Sequence, residues 1–436
     1  MSQQFWEKEL ETMPRKDLDR FQLERLKQTI GFAGQSQYYK SLFKEYGINA
    51  NSIKSIEDIS KIPFTTKEDL RGHFPYGFLA AEKKDVIRLH SSSGTTGNPT
   101  VVFHSKHDLD SWANLIARSL FSVGTRDTDV FQNICGYGLF TGGLGFQYGA
   151  ERLGALTIPA GAGNSKRQIK LMRDYGTTVI HTIPSYVMHL VDHFRDMNLD
   201  PRTDTDLRHM IIGAEPHTEE TRRRIEEMMG IKAYNSFGLS EMNGPGVAFE
   251  CEYQQGMHVW EDCFFIEIIN PQTLEPVADG EVGEMVLTTL DRQAMPIIRY
   301  RTRDLTRIIP GACACGRTHR RIDRIKGRSD DMFIIRGCNV FPMQIEKILM
   351  QIPEVGNQYL IKLETIEGVD EMIVEVEIKE GQFLDNFSKL ENLAKYITCE
   401  VRNEVLVTPK VKLLQPNHFQ PCEGKAVRVQ DNRKQF

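Results

Sequence analysis

Apolar positions change their spacing along the chain, and each change predicts a different kind of element. Leu18, Phe21, Leu23, Leu26 and Ile30 fall largely on one face of a helix with charges opposite, so the opening segment reads as helical scaffold. From Asp85 the pattern becomes short apolar runs separated by Gly-rich turns and amphipathic stretches, the alternation of an α/β sheet. Predicted strands are Val130–Ile134, Ala155–Ile158, Thr178–Thr182, His209–Ile212 and Ile231–Asn235. Between the last two, TEETRRRIEEMMG starts at Thr218 with acids in its first turn and stops at Gly230, as a capped crossover helix should. A right-handed crossover makes its two strands parallel, so the segments leaving them, Gly213-Ala214-Glu215-Pro216 and Ser236 to Glu241, emerge at the sheet edge where ligands bind.

From Asp262 to Ile309 the chain turns strand-rich (FFIEII, EMVLTTL), which predicts an antiparallel sheet or small barrel appended to the core. After Arg328 the order is strand (Met332–Ile335), helix (Pro342–Gln351), two strands (Gln358–Leu363, Met372–Lys379), helix (Asn386–Arg402) and strand (Lys410–Leu414), a separate small α+β domain. The predicted organisation is a domain over 1–328, β-rich at about 250–325, followed by a second over 329–436. Net charge of −5 with 40% apolar residues gives no reason to expect nucleic acid as a partner. Neither a signal-type leader nor a run of about 18 apolar residues is present, so no membrane association is expected and the chain is placed in the cytoplasm. In that reducing compartment clustered cysteines point to metal or buried thiols. A Cys-x6-His pair, Cys251 and His258, and a Cys-x-Cys pair, Cys313 and Cys315, flank the strand-rich region, so its fold could join them as a four-ligand structural zinc site, with Cys263 and His319 as competing ligands.

The run Ser91-Ser92-Ser93-Gly94-Thr95-Thr96-Gly97 sits between apolar stretches. Small hydroxyl residues and glycines let N–H and O–H groups converge on phosphate oxygens. It is no Walker loop, because Pro99 and the β-branched run behind it favour strand–loop–strand over loop–helix. Taken alone, this composition is also that of an ordinary surface turn.

Six motifs in order remove that ambiguity: SSSGTTGNPT, GAEP at Gly213–Pro216, NSFGLSE at Asn235–Glu241, RYRTRDL at Arg299–Leu305, GRSDDMFIIRGCNVFP at Gly327–Pro342 and EGKAVRV at Glu423–Val429. With them the chain resembles the adenylate-forming acyl-coenzyme A synthetases nearly end to end, and ETMPR and IPFTTKEDLR resemble the phenylacetate-coenzyme A ligase branch in particular. The resemblance implies an adenylate-forming fold with a mobile C-terminal lid. It also implies a reaction in which ATP and an aryl acid, most simply phenylacetate, give acyl-AMP and pyrophosphate, and coenzyme A then takes the acyl group. It assigns Ser92, Ser93, Gly94, Thr95 and Thr96 to phosphates, and Gly213, Ala214, Glu215 and Pro216 with Asn235, Ser236, Phe237 and Gly238 to adenine. Asp304 and Arg328 fall to ribose, Glu241 to magnesium and catalysis, Lys425 to catalysis and Asp330 to a hinge. Two departures stand out: Thr100 occupies the place of the loop's usual lysine, and Arg303 that of a glycine.

In the Gly-rich stretch GYGLFTGGLGFQYG, Tyr137 and Phe140, with Ala214 and Pro245, are candidate walls for the acid. Arg222, Arg223 and Arg224 and the basic run Arg317–Arg328 are read as solvated faces, with coenzyme A phosphates as the alternative. Other readings left open are a different aromatic acid, an adenylyl transferase to a non-CoA acceptor, and a binding protein without chemistry. Whether the chain is a homodimer is not encoded in any motif.

Overall fold

The computed structural model describes residues 4–91, 98–366, 369–379, 387–419 and 426–433. The chain divides into two units, one of Met1–Thr182, Asp204–Ala214 and Lys232–Arg324, the other of Ile183–Thr203, Glu215–Ile231 and Ile325–Phe436. The second unit therefore takes in Ile183–Thr203 and Glu215–Ile231, and residues 325–328, all of which fall within the first domain predicted over 1–328.

In the first unit, β1 (Val86–Ser91) and β2 (Val101–Ser105), the strands predicted on either side of the Ser/Thr/Gly run, pair antiparallel as a sheet of two among the described residues. The apolar runs then form parallel strands β3 (Val130–Asn133), β4 (Leu156–Ile158), β5 (Val179–Thr182), β6 (His209–Gly213) and β7 (Lys232–Leu239). In β5 and β6 every residue is buried, which is why their apolar residues, Val179-Ile180 and Met210-Ile211-Ile212, stand consecutively and do not alternate. β8 (Gly244–Phe249) and β9 (Met257–Val259) extend the sheet antiparallel. β10 (Phe264–Ile269), β11 (Gly283–Thr289) and β12 (Tyr300–Thr306) make a separate antiparallel sheet of three strands, the predicted β-rich region. β13 (Ile308–Ile309) and β14 (Arg321–Ile322) close the large sheet, whose order is β13-β14-β9-β8-β7-β6-β5-β3-β4.

The first long helix, Arg15–Ala33, buries Leu18, Leu26 and Ile30 as predicted, but Gln22 and Thr29 share that face while Phe21 and Leu23 are only half-buried. The two polar side chains are accommodated because each donates to a main-chain carbonyl, Gln22 to Glu261 and Thr29 to Thr289. The N-terminal segment is also sewn to the loop between β13 and β14: Glu11 accepts from Arg317 Nε at 2.7 Å, and Gln4 donates to the Cys315 carbonyl at 3.2 Å.

The second unit contains the hairpin of β15 (Phe333–Ile335) and β16 (Cys338–Val340). β17 (Val355–Ile366), β18 (Val369–Ile378), β19 (Lys410–Leu414) and β20 (Val429–Asp431) form a sheet ordered β19-β18-β17-β20. Thr218 caps helix Glu219–Met229 and Gly230 ends it at φ 71°, as predicted. Buried Glu346 accepts from Thr218 N, Thr221 Oγ1 and Tyr359 Oη, fastening that helix, helix Pro342–Gln351 and β17 together. No helix among the described residues is long and apolar enough to cross a membrane.

Candidate functional site

Glu241 sits in the tight turn between β7 and β8, 8% exposed. The Tyr300 hydroxyl donates to its Oε1 at 3.1 Å and Arg292 Nη1 donates to its main-chain carbonyl at 2.7 Å. Its Oε2 takes no hydrogen bond from any described residue. The turn is fixed by glycine. A Cβ on Gly238 would lie 2.1 Å from the Gly244 carbonyl oxygen and 2.5 Å from Pro245 Cα, so only glycine lets β7 and β8 approach this closely.

Gly213 ends β6 under the same constraint, since a Cβ there would meet Ser236 Oγ at 2.4 Å. Ala214 follows in the left-handed region at φ 67° and is exposed. Asn235 and Ser236 are buried, and the Asn235 amide donates to Glu250 Oε2 at 2.8 Å. The remaining two residues of the Gly213–Pro216 motif, Glu215 and Pro216, belong to the second unit. There Glu215 accepts from Ser185 N and Oγ and from the Ala426 amide, while burial pushes its carboxyl up. It lines a cavity of about 450 Å³ with Pro216, Asp330, Tyr359 and Ala426.

In β12 the Asp304 amide donates to Thr302 Oγ1. The neighbouring arginines do not claim its carboxylate: Arg301 forks onto Glu284 at 2.8 Å, and Arg303 approaches the same Glu284 at 3.6 Å. Arg303 has φ 69°, the left-handed backbone conformation that a glycine would adopt without strain. Arg328 donates through Nε and Nη2 to both oxygens of Asp330, each at 2.8 Å. The phosphate-loop residues Ser92, Ser93, Gly94, Thr95 and Thr96, and Lys425, lie outside the described residues.

The Gly-rich stretch does something its composition did not reveal. Gly145 and Gly149, one helical turn apart in helix Thr141–Leu153, face Trp112 and Ile116 of helix Lys106–Ser122, and a Cβ at Gly149 would meet Ile116 at 2.2 Å. These glycines therefore serve a close helix crossing. Of the candidate acid walls, Tyr137 is half-buried with its hydroxyl accepting from Asn133 Nδ2 at 3.0 Å, and the Pro245 carbonyl accepts from Trp112 Nε1. Phe140 is 54% exposed. Behind Tyr137, His181 donates Nδ1–H to Asn133 Oδ1 at 2.9 Å and stacks on Phe146 at 3.5 Å; its spacing in the sequence carried no sign of this.

The arginine runs are solvated only in part: Arg223 and Lys326 are exposed as expected, while Arg222, Arg224, Arg317 and Arg321 are buried. Arg224 is buried with its guanidinium on the Val355 and Gly356 carbonyls, and Arg222 is buried in an ion pair with Glu219. Arg320 pairs with Glu261, and Arg321 donates to three main-chain carbonyls.

The register Arg321↔His258 lays the loop between β13 and β14 against β9, and with it Cys313 and Cys315 against His258 and Cys251. The four ligand atoms lie within 4.8 Å of one another, all on buried residues. Cys251 and Cys313 Sγ are 3.7 Å apart, far beyond a disulfide bond and close to the spacing of about 3.8 Å that two thiolates take on a tetrahedral zinc. Cys315 Sγ is 3.3 Å from His258 Nε2, while His258 Nδ1 donates to the His319 carbonyl, leaving Nε2 its lone pair for a metal. Hydrogen bonding from Cys251 pulls the Cys315 thiol strongly toward thiolate. Cys263 and His319, the competing ligands, stand outside this set of four.

The family models for AMP-binding enzymes and for their C-terminal domain match residues 50–290 and 337–433. The chain is 43% identical to the phenylacetate-coenzyme A ligase of Thermus thermophilus, covering 98% of this chain and 100% of that one. It belongs to the phenylacetate-coenzyme A ligase family. The ligase of this family from Escherichia coli is 41% identical, over 97% of each chain. A crystal structure of 2-hydroxyisobutyryl-CoA ligase in the postadenylation state, complexed with an acyl-AMP, superposes with a TM-score of 0.93 at 30% identity, covering 99% of this chain and 93% of that one. That likeness supports the adenylate-forming ligase fold expected from the motifs.

Proposed function

We propose that this ligase converts an aryl acid, phenylacetate or a near analogue, to its acyl-AMP and then to the coenzyme A thioester. The observation that carries the reading is identity of 41–44% with four phenylacetate-coenzyme A ligases over nearly the whole chain. In the first step the carboxylate oxygen bonds to the α-phosphorus of ATP and pyrophosphate leaves. In the second the thiol sulfur of coenzyme A attacks the acyl carbon and AMP leaves, its proton passing to solvent.

Two anions must meet in the first step, so the site has to neutralise charge and hold the reactants in line. Lys425 is assigned to bridge the attacking carboxylate and the α-phosphate, and Ser92–Thr96 to hold the phosphates. Asp304 is assigned to both ribose hydroxyls with Arg328, and Gly213–Pro216 with Asn235–Gly238 to adenine. Glu241, with one oxygen held by Tyr300 and the other without a donor among the described residues, is the residue to hold magnesium, which would supply charge neutralisation at the phosphates. The C-terminal region turning about Asp330 would withdraw Lys425 for the thioester step. The spacing and buried donor set of Cys251, His258, Cys313 and Cys315 support a structural zinc.

The test is acid-dependent exchange of labelled pyrophosphate into ATP without coenzyme A, followed by thioester formation when it is added. Stoichiometric ADP would overturn the reading. Exchange without thioester would point to a different acceptor.

A further inference from the structure

One buried side chain joins the two parts of the first unit that are assigned to ATP. Arg292, 2% exposed, donates Nη1 to the carbonyl of Glu241 at 2.7 Å and Nη2 to the carbonyl of Phe103 at 3.1 Å. Phe103 lies in β2, the strand that leaves the phosphate loop. The loop carrying Arg292 is itself anchored to the end of that strand: the Asp108 carboxylate accepts from the amides of Ser105, Gln293 and Ala294 at 2.8, 2.8 and 3.1 Å.

Three facts argue that this clamp serves more than packing. The β1–β2 hairpin is a sheet of two strands that pairs with no third among the described residues, so its placement depends on side chains. The guanidinium is buried on carbonyls alone, with Nε unpartnered, and Asp108 and Glu241 act on it only through space. Such burial carries a desolvation penalty that an apolar side chain of similar size would not incur, so stability does not account for it. Burial lowers this group to about 10, which leaves it cationic at neutral pH.

We propose that Arg292 is a positioning residue for adenylation, locking the strand behind the phosphate loop to the turn that carries Glu241. The inference rests on the proposed reading of that loop and of Glu241 as the phosphate and magnesium groups. In-line transfer depends on their separation, and a displacement of about 1 Å costs on the order of 100-fold in rate. The thioester step transfers an acyl group already on AMP and makes no such demand.

The experiment compares full-length wild type with Arg292→Lys, which keeps the charge but cannot fork onto two carbonyls, and with Arg292→Met. Three quantities are measured: ATP affinity by calorimetry, acid-dependent pyrophosphate exchange, and thioester formation from synthetic phenylacetyl-adenylate and coenzyme A. Thermal melting checks folding. Arg292→Lys is expected to lose about 10- to 100-fold in exchange and weaken ATP binding, with thioester formation within about threefold of wild type. Arg292→Met, where folded, loses more exchange and preserves the same split. Equal loss in both half-reactions, or wild-type exchange in either folded variant, overturns the positioning role. Absence of exchange in wild type itself would remove the proposed function, and this inference with it, and so is distinguishable from failure of the clamp alone.

Discussion

Replacing Gly238 by alanine adds one methyl group at the most confined point beside the candidate catalytic turn. The new Cβ would stand 2.1 Å from the Gly244 carbonyl oxygen, against 3.4 Å for ordinary contact, a shortfall of about 1.3 Å. The obstacle is backbone on the adjoining strand, so no side-chain rotation relieves it. Either β7 and β8 separate or the turn between them shifts, and Glu241 lies three residues from the substitution. A displacement of about 1 Å at a reacting centre costs on the order of 100-fold in rate, or about 2.7 kcal/mol of transition-state stabilisation. Gly238→Ala should therefore lose roughly two orders of magnitude in kcat/KM for acid-dependent pyrophosphate exchange. The loss should be larger than a drop in the folded fraction, followed by circular dichroism at the assay temperature, can explain. Activity within about threefold of wild type would show that the strands part without moving the turn, and would refute the reasoning.

Lys425→Ala should lose adenylation by orders of magnitude yet still convert supplied acyl-adenylate and coenzyme A to thioester; equal loss of both, in folded protein, would contradict the assignment. Metal analysis of the purified chain should give close to one zinc per chain, and Cys315→Ala should lower both zinc content and Tm; far less than one zinc in metal-replete protein would remove the metal assignment. Burial holds His181 and His209 down to about 3 and about 4, against about 6.5 in an unfolded chain. Their folded values are depressed, so the stability they contribute is complete above about pH 6.5 and is lost as pH falls toward 4, by up to about 1.4 kcal/mol per pH unit for each. Chemical denaturation from pH 7 to 4 should show that decline, and its absence would mean that both imidazoles are solvated.

The parallel strands and the C-terminal domain were legible in the sequence because fully buried strands such as β5 and β6 leave short, uninterrupted apolar runs. Helix Pro342–Gln351 and β19 match their predicted bounds for a related reason, since Pro342 sets one start and a charged alternation marks the other. The cysteine–histidine set was legible as spacing, and the register of β14 on β9 is what assembles it. Contacts between distant segments were not legible. The Gly-rich stretch suggested lining for the acid because sequence cannot show that Trp112 and Ile116 lie against Gly145 and Gly149. Arg222, Arg224 and Arg292 suggested solvent or carried no signal, since a buried arginine satisfied by carbonyls has no local pattern.

The seam between the N-terminal segment and the cysteine loop also bears on how the chain is made. Glu11 and its partner Arg317 are 306 positions apart, and Gln4 reaches for the carbonyl of Cys315 across a similar span. At translation rates of about 5–20 residues per second, the first helices must wait on the order of 15–60 s on the ribosome before the segment that completes them emerges. During that interval Gln22 and Thr29 lack the Glu261 and Thr289 carbonyls that satisfy them in the folded chain. The first unit thus closes late, when these two segments meet, and its first helices stay open to chaperones and proteases throughout that interval.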